Sequence, residues 1–103
     1  MGENPKEAAS APVGTAYRYA LEQNLPNPFS PSTVIRYSLA SGAFVKVTVY
    51  DILGRPVQTL VNEYKKAGEY RAVFDAQGLP GGMYFYKMET PQYTAIKRMI
   101  LVR

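Results

Sequence analysis

The 103-residue chain contains no cysteine, no histidine and no tryptophan. Without cysteine there is no disulfide and no thiolate nucleophile or ligand. Without histidine there is no Cys/His zinc site and no imidazole base, which excludes every nucleophilic triad built on one. The lack of cysteine does not fix the compartment, because an exported domain with an adequate core folds without bridges. Long apolar runs are missing as well: none nears the ~20 residues of a membrane helix, and residues 1 to 14 lack the apolar segment of a signal peptide. The chain as it stands is expected neither to span a bilayer nor to direct its own export.

Charge excludes further classes. Twelve Lys and Arg against eight Asp and Glu give a net charge of +4, but the basic residues are scattered from Lys6 to Arg103. No basic run is longer than Lys65-Lys66 or Lys97-Arg98, whereas electrostatic binding of nucleic acid needs a concentrated patch; no nucleic-acid partner is expected. Glycoside hydrolysis would need two acids facing each other across a cleft. Asp51, Glu63, Glu69 and Asp75 instead fall at turns and strand ends, where capping and solvation account for them. With Glu89 these are all the acids after the second strand. No catalytic residue, metal ligand or cofactor site is expected, and the chain does not read as an enzyme.

What is present points to β-structure. The apolar fraction is 47%, and nine tyrosines with four phenylalanines favour strands over helices. Met1 to Thr15 is rich in Ala, Pro, Glu and Gly with little to bury, so residues 1–16 are expected to be a linker or cloning remnant and residues 17–103 one folded domain. From Tyr17 onward the apolar period is two, broken by turn residues, which predicts strands over Tyr17–Gln23, Thr33–Leu39, Phe44–Leu53, Pro56–Asn62, Glu69–Asp75, Met83–Thr90 and Tyr93–Val102. That is an all-β, seven-stranded sandwich.

Alternation sets the register: Ile35, Tyr37 and Leu39 share one face against Arg36 and Ser38. Val45, Val47 and Val49 are expected inward, with Lys46, Thr48 and Tyr50 on the opposite side. Asp51-Ile52-Leu53-Gly54 fits a type I turn, and Pro56 belongs at a strand start or on an edge. Tyr70, Ala72 and Phe74 form another inward set, with Gly68 marking the preceding turn. Leu79-Pro80-Gly81-Gly82-Met83-Tyr84 resembles the tyrosine corner of Greek-key sandwiches, which predicts that the Tyr84 hydroxyl bonds backbone a few residues upstream.

Two features have functional readings. Exposed tyrosines could stack on sugar rings, so a structural or carbohydrate-binding accessory module is an alternative, with Tyr64 and Tyr93 in candidate loops as its carriers. Lys97 and Arg98, with Arg103, flank the apolar run Met99-Ile100-Leu101-Val102. A last strand so framed can be buried, or it can be read by a receptor through backbone pairing, and its exposed edge offers a route to weak homodimerisation.

The most distinctive stretch is Leu21-Glu22-Gln23-Asn24-Leu25-Pro26-Asn27-Pro28-Phe29-Ser30-Pro31-Ser32-Thr33. Its prolines forbid helix and impose an extended crossover, for which Phe29 supplies an apolar plug. This stretch resembles the opening N-x-PNPF-(N/S)-P-x-T of the type A C-terminal sorting domain of the type IX secretion system. The likeness continues through Val49-Tyr50-Asp51-Ile52-Leu53-Gly54-Arg55-Pro56-Val57, Ala67-Gly68-Glu69-Tyr70, and Phe74-Asp75-Ala76 with Leu79-Pro80-Gly81-Gly82-Met83-Tyr84-Phe85-Tyr86. It ends on Lys97-Arg98-Met99-Ile100-Leu101-Val102-Arg103, where arginines replace two of the family's usual lysines. The motif positions it singles out are Pro26, Asn27, Pro28, Phe29, Pro31, Asp51, Gly54, Arg55, Gly68, Tyr70, Gly82 and Tyr84.

The resemblance implies an immunoglobulin-like sandwich at the end of an exported cargo protein. The parent would cross the inner membrane by a separate signal, fold in the periplasm and be recognised by an outer-membrane translocon. A sortase would then remove the domain and leave the cargo at the cell surface. Lys97 to Arg103 are implied as the recognition residues for translocon or sortase. The immunoglobulin-like domain of flagellar hook-capping proteins is similar in its YD-x-x-GR hairpin and G-x-Y-x-Y strand, but the basic, apolar last segment favours the sorting family.

Overall fold

The computed structural model describes residues 16–103, so the expected linker, apart from Ala16, lies outside the described residues. Among them are seven strands: β1 Ala20–Leu21, β2 Ser32–Leu39, β3 Ala43–Tyr50, β4 Pro56–Lys65, β5 Gly68–Asp75, β6 Gly82–Thr90 and β7 Tyr93–Leu101. They form two sheets, one ordered β1-β2-β5 and the other β4-β3-β6-β7, with every pairing antiparallel. β3–β4 and β6–β7 are hairpins within one sheet, while β2–β3, β4–β5 and β5–β6 cross between sheets. This is the Greek-key order of an immunoglobulin-like sandwich. No helix among the described residues is long and apolar enough to cross a membrane.

The core follows the two-residue period. Ile35, Tyr37, Leu39, Ala72 and Phe74 from one sheet meet Val45, Val47, Val49, Tyr84, Tyr86, Met88, Met99 and Leu101 from the other, and all are buried. Pro56 starts an edge strand, where its missing N–H leaves no gap in a ladder. Two register shifts in the β3–β4 pairing bend that edge, which discourages pairing with another chain.

Four expectations are corrected. The first strand shrinks from Tyr17–Gln23 to Ala20–Leu21 because the chain leaves the sheet on either side. Tyr19 stacks on Tyr93 of the opposite sheet with ring centroids 5.5 Å apart, and the Gln23 side chain reaches Arg98 C=O at 2.7 Å. The third strand stops at Tyr50, since Asp51 turns its carboxylate to the backbone of Leu53 and Arg55. Thr48, opposite the inward valines, is nonetheless buried, sealed at mid-sheet between its register partners Lys87 and Thr59, and its hydroxyl has no partner among the described residues. Tyr64 and Tyr93 stand on β4 and β7, not in loops.

Candidate functional site

Antiparallel order carries most of the distinctive sequence to one pole of the sandwich. The start of β2, the end of β3, the end of β5, the start of β6 and the end of β7 all lie there. The crossover 24–31, the turn 51–55, the loop 76–81 and residues 101–103 therefore converge, although the chain separates the first and last by some seventy positions.

The crossover is held first by Asn24, whose side chain is fully buried. Its Nδ2 donates to Pro26 C=O (3.1 Å) and Thr33 Oγ1 (3.0 Å), its backbone N–H donates to Tyr86 Oη (2.8 Å), and Tyr86 Oη donates to Glu22 C=O (2.6 Å). Thr33 Oγ1 in turn donates to Pro26 C=O at 2.8 Å. A segment with three prolines has few N–H groups for a ladder, so side chains must satisfy its carbonyls. The sequence reading missed Asn24, Thr33 and Tyr86 as organisers. Their signal was present: Asn24 and Thr33 bracket the proline motif, and Tyr86 is the second tyrosine of G-x-Y-x-Y.

The crossover then grips the last strand. Ile100 N–H donates to Asn27 Oδ1 (3.0 Å), Phe29 N–H donates to Ile100 C=O (2.9 Å), and Val102 N–H donates to Phe29 C=O (2.9 Å). Phe29 is buried, its ring edge-on to Phe74 with centroids 6.0 Å apart. Arg103 closes the far side, donating from Nε to Leu79 C=O (2.7 Å) and from Nη2 to Ala76 C=O (2.6 Å), while Ala76 N–H donates to Pro31 C=O (2.9 Å). Prolines 26, 28 and 31, Asn27 and Phe29 thus form a clasp across the edge of β7.

The clasp covers only part of that edge. Ile100 and Val102 point their backbone groups at the crossover, so even-numbered residues of β7 face the open side and odd-numbered ones face β6. Arg98 C=O is taken by Gln23, whereas the backbone groups of Thr94 and Ile96 have no partner among the described residues. The same parity splits the expected recognition run. Met99 and Leu101 are core residues, Lys97 is half-buried, and Arg98, Ile100, Val102 and Arg103 are exposed. A receptor can reach the second group without unfolding the domain.

At the turn, Asp51 organises its neighbours. Its carboxylate accepts from Leu53 N–H (2.9 Å), Arg55 N–H (3.0 Å) and Arg55 Nε (2.9 Å), and Gly54 N–H returns to Asp51 C=O (2.9 Å). The Arg55 N–H above all, with the guanidinium and the Leu53 N–H, holds the Asp51 carboxyl below the ordinary carboxylate range.

The tyrosine corner is present, and it is doubled. Tyr84 Oη donates to Pro80 C=O and Tyr70 Oη donates to Lys66 C=O, both at 2.6 Å and both four residues upstream. Gly82 and Gly68, two residues before each tyrosine, have φ of +142° and +154°, a region that disfavours a side chain. The Tyr84 bond is partly buried and the Tyr70 bond exposed. Tyr84→Phe is therefore expected to cost about 1 kcal/mol and Tyr70→Phe roughly half that or less, measured by urea unfolding. Equal costs would show that burial does not decide them.

Over residues 25–102 the chain matches the family described as the secretion system C-terminal sorting domain. No curated protein and no solved structure matches it. The matched span takes in the clasp, the Asp51 turn, both tyrosine corners and the last strand, and the reading as a structural or carbohydrate-binding accessory module has no support. The chain belongs to the C-terminal sorting domains of type IX secretion, non-catalytic signals that mark proteins for export to the cell surface or extracellular space.

Proposed function

We propose that the domain directs an upstream cargo in the same polypeptide through the type IX translocon, and that the translocon, and later a sortase, reads the exposed half of the last strand in its clasped state. The observation that carries this reading is the split of Lys97 to Arg103. Met99 and Leu101 anchor the strand in the core, while Arg98, Ile100, Val102 and Arg103 stand outside it at the pole that gathers the crossover, the turn and the loop. Two aliphatic and two cationic side chains on one rigid edge suit a protein receptor that combines apolar contact with carboxylates. Whether the cargo is released or kept at the surface depends on the sortase step, which acts outside this domain.

Deleting Lys97 to Arg103 is expected to abolish export of a reporter fused ahead of the chain, in a host that carries the pathway. That deletion also removes Met99 and Leu101 from the core, so Arg98→Ser/Ile100→Ser is the sharper variant: the same loss of export is expected with little change in melting temperature. Export at the parental level by the double variant would overturn the proposal.

A further inference from the structure

The apolar side chains at the tip of the β3–β4 turn stand outside the core. Ile52 and Leu53 are 67% and 73% exposed, the highest values among the large apolar side chains described. They occupy the two central positions of the hydrogen-bonded β-turn Asp51 to Gly54, where polar or small residues are usual, and neither belongs to the core. The turn beneath them is rigid, because Asp51 ties Leu53, Gly54 and Arg55, and Asp51 N–H also donates to Arg55 C=O at 2.9 Å. An apolar pair held in one conformation loses little freedom on docking.

Position adds the second argument. The turn and the end of β7 project from the same pole of the same sheet, with β6 between β3 and β7. At ladder spacing that separates them by only about 10 Å. The ground between is apolar too. On the outer face, register aligns Tyr50 with Phe85, Phe85 with Arg98, and Met83 with Ile100; Tyr50, Met83 and Phe85 are half-buried. A continuous strip runs from Ile52 and Leu53 to Ile100. Its rim is basic: the Arg55 side chain is 72% exposed, Arg98 and Arg103 are exposed, and Asp51 is already engaged by Arg55.

We infer that Ile52 and Leu53 form a second anchor for the same protein that reads the last strand, seated in an apolar pocket of that partner bordered by carboxylates. The inference rests on the reading given under the proposed function and names a further part of its surface. A lipid surface would also accept aliphatic and basic groups. The protein pocket is favoured because the pair is rigidly aimed and continues a strip that ends on a strand edge, features a fluid bilayer would not need.

The test uses the whole chain fused behind a reporter in a host that carries the pathway, with three variants: Ile52→Ser/Leu53→Ser, Ile52→Val/Leu53→Ile, and the strand variant Arg98→Ser/Ile100→Ser. The serine tip variant is expected to export at least about tenfold less than the parent with its melting temperature unchanged, and the conservative tip variant to export normally. Normal export by the serine tip variant while the strand variant fails would overturn the second anchor and leave the first reading standing. Normal export by the strand variant would remove that reading and this inference with it. Sedimentation with phosphatidylglycerol vesicles that is lost in the serine tip variant would assign the tip to lipid and likewise overturn the protein pocket.

Discussion

Phe29→Ala is expected to destabilise the domain by about 3–5 kcal/mol, a large share of the stability of a domain this size. The ring is buried at the pole against Phe74, and among the described residues the Val102 N–H and the Ile100 C=O are both tied to the backbone of residue 29 itself. Removing the ring leaves a cavity under a proline-rich segment that cannot collapse freely, since Pro28 is its neighbour and Asn24 and Thr33 pin the chain nearby. Beyond a lower melting temperature, amide exchange should show where the loss falls: Ile100 and Val102 would exchange as fast as Thr94 and Ile96, whose edge is already open. Phe29→Leu should recover most of the protection. A variant that melts with the parent would show that the crossover is not held by its plug.

This result also bears on function. If the translocon reads the clasped strand, Phe29→Ala should weaken export although none of the exposed residues at the end of β7 has changed. If instead it reads a freed strand, the same variant should export better than the parent. The two outcomes separate recognition of a folded surface from recognition of a peeled segment, which the sequence alone left open for Lys97 to Arg103.

The parts of the fold that sequence made legible are those where one face is buried and the other wet. Ile35, Tyr37 and Leu39, the three valines of β3, and Ala72 with Phe74 alternate cleanly and lie where alternation placed them. Legibility failed where a residue answers to two neighbours at once. β1 is a two-residue edge strand of one sheet, and Tyr19 and Gln23 just outside it make contacts across the sandwich that no two-residue period encodes. Thr48 is covered by its cross-strand neighbours and not by its own position in the pattern. The apolar run Met99 to Val102 looked uniform, yet strand parity sends alternate members inward and outward. The clasp itself was legible only as a rigid crossover with a plug, because bonds from residues 27 and 29 to residues 100 and 102 depend on which ends of which strands share a pole.

Tyr86→Phe removes a single oxygen and is expected to cost about 2–4 kcal/mol, well above the cost of Tyr84→Phe. The difference lies in the partners: Tyr86 Oη accepts from the buried Asn24 N–H and donates to the partly buried Glu22 C=O, so its loss leaves one backbone group stranded away from water and a second short of its partner. Tyr37 is the contrasting case, because its hydroxyl is buried without a partner among the described residues, and Tyr37→Phe should leave stability unchanged or raise it. Burial, aided for Tyr37 by the neighbouring Tyr70, pushes both phenols up to about 12 from the ordinary 10. A phenol whose folded pKa is raised contributes stability that is complete below the unfolded pKa near 10 and is lost as pH climbs to 12. Between those values each tyrosine should lower stability by roughly 1.4 kcal/mol per pH unit. Stability from urea melts should therefore fall with pH across this window in the parent and fall less steeply, by a similar amount, in Tyr37→Phe and Tyr86→Phe, although only the second starts from a weakened fold. Equal slopes in all three proteins would mean that neither phenol is desolvated as its burial requires.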